Sequence, residues 1–222
     1  PITEVDFLKI DAPRRAESGS QVPVSLQYDK VAANGVVLKT LYLLIDANPA
    51  PLAATYHLTD ALDGFKLATR IRMETDSFVH LVGEATDGKL YMAKREIRAS
   101  GGCSGPVDAG NAEVATATGK MRLRIDPSVN NQPATATLNI RHPMRTGLQR
   151  DLVSQGFVPA YYIQKIIARY NAEPIMTVDL GISISEDPYL KFSFVPAGGG
   201  SLEIEASDNE GHIFTHQLAV KG

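Results

Sequence analysis

Short runs of alternating apolar and polar residues occupy most of the chain and predict a structure built from β-strands. The alternation puts every second side chain on one face, as in a strand that is buried on one side. Seven such runs occupy the first half: 5–10, 22–28, 38–45, 54–58, 65–73, 78–85 and 89–98. With no amphipathic helix expected between them, this half is predicted to be an antiparallel β-sandwich.

The second half repeats this pattern. Its runs are 121–125, 134–140, 161–170, 174–180, 190–195, 201–207 and 213–220. Turns are predicted at 63–64, 86–88, 130–133 and 208–211, where Gly, Asn, Asp and Pro interrupt the alternation. A polar stretch at 142–159 is predicted to be irregular. The second half is therefore predicted to be another sandwich.

Small residues dominate the stretch between the halves, 101–119, which is predicted to be a flexible linker. The expected organisation is an N-terminal sandwich over 1–100, an arm and linker over 101–119, and a C-terminal sandwich over 120–222. The fold class is all-β, with two immunoglobulin-like sandwiches; one sandwich and one barrel is the alternative. We expect the two sandwiches to pack tightly against each other.

Composition narrows the function classes. The 22 basic and 25 acidic residues leave a net charge of −3, which does not favour nucleic acid or an anionic membrane surface as a partner. No apolar run approaches the roughly 20 residues that a membrane-spanning helix needs. No signal peptide is visible, and Pro1 leads almost directly into a strand, so we expect a mature or trimmed chain.

The chain contains one cysteine, Cys103, which excludes an internal disulfide. It lies within Gly101-Gly102-Cys103-Ser104-Gly105-Pro106, where neighbouring side chains are too small to bury it. We therefore expect an exposed, functional thiol on a mobile segment, with a small buried cysteine as the alternative. Lys94, Arg95 and Arg98 on the preceding strand could supply a cation that lowers its pKa, although a solvated strand face explains them equally well.

Two chemical roles for this thiol are disfavoured. A nucleophilic cysteine needs a base within hydrogen-bond reach, and none of the five histidines (His57, His80, His142, His212 and His216) is near it in sequence. A copper site of the blue type would place His and Met soon after the cysteine, and residues 104–118 contain neither. No metal or cofactor is expected.

The most distinctive run of the second half is 140–151, which begins Ile140-Arg141-His142-Pro143-Met144-Arg145-Thr146-Gly147. It is either a solvated polar loop or a surface that contacts a partner. On the second interpretation Arg141, His142 and Arg145 are the contact residues.

The same run resembles the SoxZ family, which carries a similar Arg-His-Pro-Met-x-Thr-Gly segment. Further likenesses lie in 159–163, in 187–194 and at Asp208-Asn209-Glu210-Gly211, so the resemblance covers residues 120–222. The first half, over roughly residues 5–105, resembles SoxY, a family that ends in a Gly-Gly-Cys-Gly-Gly arm. The chain is thus similar to a fused SoxYZ-like carrier of the kind associated with quinoprotein dehydrogenase gene clusters.

The resemblance implies a periplasmic carrier without catalytic activity. SoxYZ holds sulfur intermediates of thiosulfate oxidation covalently on its arm cysteine and visits several enzymes. Carried over to this sequence, Cys103 would bear the sulfur, and Gly101, Gly102, Ser104 and Gly105 would form the arm.

Two departures matter for that function. Ser104 and Pro106 interrupt the glycine tail, and the arm is internal, so it must enter a partner as a loop. Two other functions remain open. The chain could be an accessory module that docks a quinoprotein dehydrogenase, with Cys103 incidental, or a thiol-dependent enzyme, which requires a histidine or an acid beside Cys103.

Overall fold

The computed structural model describes residues 1–62, 64–126, 133–196 and 198–220. The turns predicted at 63–64 and 130–133 lie partly outside these residues. The N-terminal half contains β1 (Ile2–Glu4), β2 (Leu8–Asp11), β3 (Val22–Tyr28), β4 (Leu38–Ile45), β5 (Leu52–Leu58), β6 (Phe65–Ile71), β7 (Ser77–Ala85) and β8 (Leu90–Ile97). The remaining elements are α1 (Ala112–Ala117), β9 (Met121–Asp126), β10 (Ala134–Ile140), β11 (Ile163–Tyr170), β12 (Glu173–Leu180), β13 (Tyr189–Phe194), β14 (Gly200–Asp208) and β15 (Ile213–Val220).

The strands form two facing sheets, which confirms the predicted all-β sandwich architecture. One sheet has nine strands in the order β1-β8-β7-β4-β5-β12-β11-β14-β15, and the other has six in the order β2-β3-β6-β13-β10-β9. Almost all neighbours are antiparallel, and six of the antiparallel pairs are formed by strands that are consecutive in the chain. The exception is β1, which runs parallel to β8.

Both sheets run across the boundary between the two halves. β5 pairs with β12 in the larger sheet, and β6 pairs with β13 in the smaller one. Tyr56 lies opposite Val178, and Leu67 lies opposite Phe192, with all four side chains buried. The two sandwiches are therefore joined edge to edge, and their apolar side chains form one continuous core. This explains the tight packing, because unpaired strand edges inside the molecule would leave backbone groups without partners.

Two elements were missed by the sequence analysis. β1 is only three residues long and all of them are exposed, so it carries no burial pattern. The helix α1 lies in the stretch predicted to be an irregular linker. Asn111 caps it, since its side chain accepts hydrogen bonds from the N–H groups of Glu113 and Val114. Within the described part of the chain, no helix has the length and apolar character required to cross a bilayer.

Candidate functional site

The Cys-bearing segment, residues 101–105 and hereafter the arm, is docked at the junction of the two halves. Gly101 has a φ of +69°, which turns the chain away from the direction of β8. Gly102 lies against the backbone of Gly19, where an added Cβ would come within 2.1 Å of the Gly19 carbonyl oxygen. Its N–H donates to the carbonyl of Met73 at 3.0 Å. Glycine is thus required at 102 for close packing as well as for flexibility.

Glu74 holds the arm from the N-terminal half. Its main-chain carbonyl accepts a hydrogen bond from the N–H of Gly101 at 2.8 Å. Its carboxylate accepts the N–H groups of Cys103 at 2.7 Å and Ser104 at 3.1 Å, and also the hydroxyl of Ser104. Burial opposes the ionisation of this carboxyl group. The hydrogen bonds outweigh burial, however, and hold the pKa of Glu74 below its usual value.

The C-terminal half holds the arm from the other side. The hydroxyl of Thr146 donates to the carbonyl of Cys103 at 2.7 Å. The buried guanidinium of Arg72 spans the junction, since it donates to the carbonyl of Gly102 at 3.1 Å and to that of Met144 at 3.3 Å. The arm is therefore bound by side chains of both halves.

The thiol of Cys103 points inward, and only 1% of the residue is exposed. The prediction of an exposed thiol is therefore wrong for this conformation, because the two halves together bury a side chain that its small sequence neighbours could not cover. Burial raises the pKa of Cys103 to about 11, and the negative charge of Glu74 adds to this effect. The positive charge of Arg72 offsets it only in part. In the docked state the group is a thiol at neutral pH.

The cation that acts on Cys103 is Arg72, which the sequence analysis did not single out. Of the three cations suggested instead, Lys94 is paired with a carboxylate of β1, and Arg95 donates to the carbonyl of Ala12. Arg98 is exposed on the strand leading to the arm. Arg72 directly follows the buried end of β6. A single arginine at the end of a strand gives no sequence signal that its side chain will point into a junction formed by residues distant in sequence.

The three residues expected to contact a partner lie on the segment that leads to Thr146, the residue that binds the arm. Arg141 is exposed and forms an ion pair with Asp187. Arg145 is half-buried and donates to the carbonyl of Ala109 in the linker at 2.9 Å. His142 is 1% exposed, so its side chain is not part of the surface in this conformation, contrary to the prediction. The main-chain N–H of His142 donates to the carboxylate of Asp187. With the backbone held in this way, the ring lies in the core.

The ring of His142 belongs to a buried polar cluster. Its Nδ1 accepts the N–H of Met144 at 3.2 Å, and its centroid lies 4.4 Å from that of Tyr161. Asp208 lies 3.8 Å from its Nε2 and binds His212 Nδ1 at 2.9 Å. Burial lowers the pKa of His142 to about 4, although Asp208 opposes the shift. The neutral ring therefore supports the loop that carries Met144 to the arm.

In the described part of the chain, the carboxylate beside Cys103 is that of Glu74, which accepts hydrogen bonds from backbone N–H groups of the arm. There, no histidine forms a hydrogen bond or an ion pair with Cys103, and His57 and His80 pair instead with Asp179 and Asp46. The same residues contain no group of three or more His, Cys, Asp or Glu side chains that could hold a metal ion.

The linker after the arm is also fastened to the C-terminal half. Val107 forms a short parallel bridge with Asp151. The carboxylate of Asp151 accepts the N–H of Ala109 at 2.9 Å. Hydrogen bonds from the N–H groups of Ser154 and Ala109 lower the pKa of Asp151 to about 2. The arm is thus tethered closely on both sides.

Comparison with known proteins found a separate family match in each half of the chain. Residues 1–103 match the family model described as sulfur oxidation protein SoxY, and residues 121–219 match the model described as sulphur oxidation protein SoxZ. The comparison with curated proteins found no match.

Solved structures show weaker likenesses. The sulfur carrier protein SoxY from Chlorobium limicola f thiosulfatophilum is 28% identical, covers 44% of this chain and 79% of its own, and gives a TM-score of 0.38. The BSP domain of a biofilm associated protein is 13% identical, covers 99% of this chain and 30% of its own, and gives a TM-score of 0.29.

Proposed function

Because the chain joins a SoxY domain (1–103) to a SoxZ domain (121–219) in one polypeptide, we propose that it is a sulfur carrier that holds its cargo covalently on Cys103. The carrier acts in the periplasm and delivers sulfur intermediates to partner enzymes of sulfur oxidation. It performs no catalysis itself. The two sandwiches serve to hold and present the arm.

The observation that supports this function best is the position of the single cysteine. The SoxY match ends at residue 103, which is Cys103 itself. The residue lies outside every strand and helix, on an arm held by hydrogen bonds to Glu74, Arg72 and Thr146. Breaking these bonds would free the arm without disturbing either sheet. The docked conformation is therefore a resting state, and loading and delivery take place in an undocked one.

The chemistry of loading depends on the sulfur donor. With a polysulfide, the thiolate attacks a sulfane sulfur, forms an S–S bond, and releases the shortened polysulfide, so no external oxidant is needed. Joining the thiol to thiosulfate removes one proton and two electrons, which a partner enzyme has to accept. Polysulfide is therefore the donor with which the isolated protein can be tested.

The arm's geometry restricts the partner enzymes. Because the arm continues into a linker fastened at Val107 and Asp151, it has to enter an active site as a loop. A suitable partner has a wide entrance. Arg141 and Arg145, on the segment that leads to the arm-binding Thr146, are proposed to contact that partner.

An intact-mass measurement after incubation with polysulfide tests this function. We expect the wild-type protein to gain the mass of one or more sulfur atoms, and Cys103→Ser to gain none. A small thiol in the same solution shows that the donor is active. An unmodified wild-type protein beside a modified small thiol would contradict the proposal.

The burial of Cys103 favours one other function, an accessory module that docks a quinoprotein dehydrogenase and uses the thiol only as a packing residue. In that case Cys103→Ser would retain full binding to its partner and full support of the partner's activity. If the protein is a carrier, Cys103→Ser is expected to keep binding to the partner but to lose support of the partner's activity.

A further inference from the structure

Two open grooves with several cationic side chains in their walls lie at the two ends of the segment 14–21, whose Gly19 packs against Gly102 of the arm. The first, hereafter the junction groove, has a volume of about 540 Å³. Its charged lining residues are Arg70, Lys120, Arg122, Arg141 and Asp187. Arg70 comes from the N-terminal half and the others from the C-terminal half, so the groove exists only because the two halves are joined.

The positive charge of the junction groove is only partly neutralised. Asp187 pairs with Arg141, and Arg70 donates to the side-chain oxygen of Gln21 and to a main-chain carbonyl. Lys120 and Arg122 are exposed. Within the residues that the structure describes, neither of them forms an ion pair.

The second groove, hereafter the β8 groove, has a volume of about 520 Å³. It is lined by Arg14, Arg15, Arg95, Glu96 and Arg98. At this groove the N–H of Arg98, which directly follows β8, donates to the carbonyl of Arg14 and so pairs the two segments. Four cations are thus gathered around one carboxylate.

The base of the arm lies between these grooves. The segment from residue 14 to residue 21 runs from the β8 groove to the junction groove, and its Gly19 packs against Gly102. The carboxylates of Glu74 and Asp76, at the same place, accept hydrogen bonds from N–H groups at and next to the arm. These two carboxylates are therefore engaged with backbone N–H groups at the arm and beside it.

This concentration of charge differs from the composition of the whole chain. The chain has 22 basic and 25 acidic residues, whereas eight basic and two acidic residues line the two grooves. Each groove is open and several times larger than an inorganic oxyanion. The arrangement matches an extended negative surface around an entrance better than a single small ion.

We propose that the junction groove and the β8 groove together form the docking surface for partner proteins whose active-site entrance has an acidic rim. This proposal rests on the carrier function and adds the chemistry of the partner. Complementary charge speeds the encounter and aligns the arm with the entrance, and salt weakens both effects.

A peptide reagent that reacts with Cys103 tests the proposal. Short polyglutamate and polyserine peptides, each ending in a cysteine activated as a mixed disulfide with thionitrobenzoate, are compared by the rate at which they release thionitrobenzoate. Both reactions require the arm to undock, so the ratio of the rates reports charge recognition. We expect the acidic peptide to react at least about tenfold faster at low salt, with the ratio falling towards one at high salt.

Charge-removal variants locate the effect. We expect Lys120→Ala/Arg122→Ala and Arg14→Ala/Arg15→Ala each to lower the ratio several-fold. The control variant Lys39→Ala/Lys89→Ala removes the same charge from exposed positions elsewhere and is expected to keep it. Thermal unfolding of all variants shows whether each is folded.

Three results would overturn the proposal: equal rates for the two peptides, a ratio unchanged in both groove variants, or loss of the ratio in sulfate but not in chloride of equal ionic strength. The last would identify the grooves as sites for small oxyanions. The readout does not involve sulfur loading, so a protein that loads sulfur without charge preference would contradict only the docking surface. A charge preference without loading would contradict only the carrier function.

Discussion

At the scale of single residues, Glu74 makes the largest set of side-chain hydrogen bonds to the arm. Its carboxylate is the acceptor for the N–H groups of Cys103 and Ser104 and for the hydroxyl of Ser104. Hydrogen bonds to a charged group contribute about 1.5–3 kcal/mol each. The loss of this charge is therefore sufficient to shift the arm towards the undocked state.

We predict that Glu74→Gln increases the rate at which iodoacetamide alkylates Cys103 by at least about tenfold, since one lost charged hydrogen bond corresponds to a factor of that order. Glu17→Gln, which changes an exposed carboxylate without a described contact to the arm, is the control and keeps the wild-type rate. Equal rates in the two variants would show that Glu74 does not hold the arm.

The raised pKa of Cys103 predicts an unusual pH profile. An exposed thiol reaches its full alkylation rate above its ordinary pKa, which is about 8.5. In the folded protein the rate is expected to continue rising towards pH 11, because burial and Glu74 keep the docked group protonated. In urea the same thiol is expected to level off near its ordinary pKa. A folded protein with the profile of the unfolded chain would contradict the docked conformation.

The same shift has a consequence for stability. Because the folded-state pKa of Cys103 lies above the unfolded value, the folded protein binds more protons between about pH 8.5 and pH 11. This contribution to stability is complete below that window and is lost as the pH rises through it. Urea unfolding of wild type and Cys103→Ser across the window is expected to show the additional loss in wild type alone.

At the scale of elements, the strand pairs that cross the boundary make one unit of the two halves. Phe192 of β13 lies opposite Leu67 of β6 and is 2% exposed. We predict that Phe192→Ala lowers the free energy of unfolding by about 3–5 kcal/mol, through lost burial and the cavity left behind.

Urea denaturation measures this loss, and Phe157→Ala is the matched control. Phe157 is 64% exposed, so its replacement is expected to change stability by no more than about 0.5 kcal/mol. Both halves are expected to unfold in a single transition, because they share both sheets. A Phe192→Ala protein in which one half unfolds well before the other would show that the strand pairs across the boundary bind the two halves only weakly.

The sequence predicts the strands well because alternation is a local signal. Runs such as 22–28 and 134–140 correspond to β3 and β10 at the same residues. The pairing of β5 with β12 and of β6 with β13 has no local signal, since it depends on which edges meet after folding. The burial of Cys103 was missed for the same reason, because Arg72 and Thr146 cover it from positions distant in sequence. Thr146 lies within the distinctive 140–151 run, whereas nothing in the sequence marks Arg72.

At the scale of the whole molecule, a double sheet carries one arm at the junction of its two halves. The arm is internal and docked, so the thiol is protected until the contacts with Glu74, Arg72 and Thr146 break. We propose that a partner bound to the two cationic grooves favours that release at the place where the cargo is needed. In this proposal the docked arm protects the thiol, and the undocked arm loads and delivers the sulfur.

The most direct test of sulfur carriage by Cys103 is reversible sulfur loading of the native protein. The loading is followed by mass spectrometry of the tryptic peptide 99–120, which contains Cys103. If Cys103 carries sulfur, polysulfide is expected to add sulfur to this peptide under native conditions. Sulfite, which takes up the sulfane sulfur to give thiosulfate, is then expected to remove it and restore the original mass. A peptide that stays unmodified in the native protein but gains sulfur once the chain is unfolded in urea would show that Cys103 is a buried structural residue, and would contradict the carrier function.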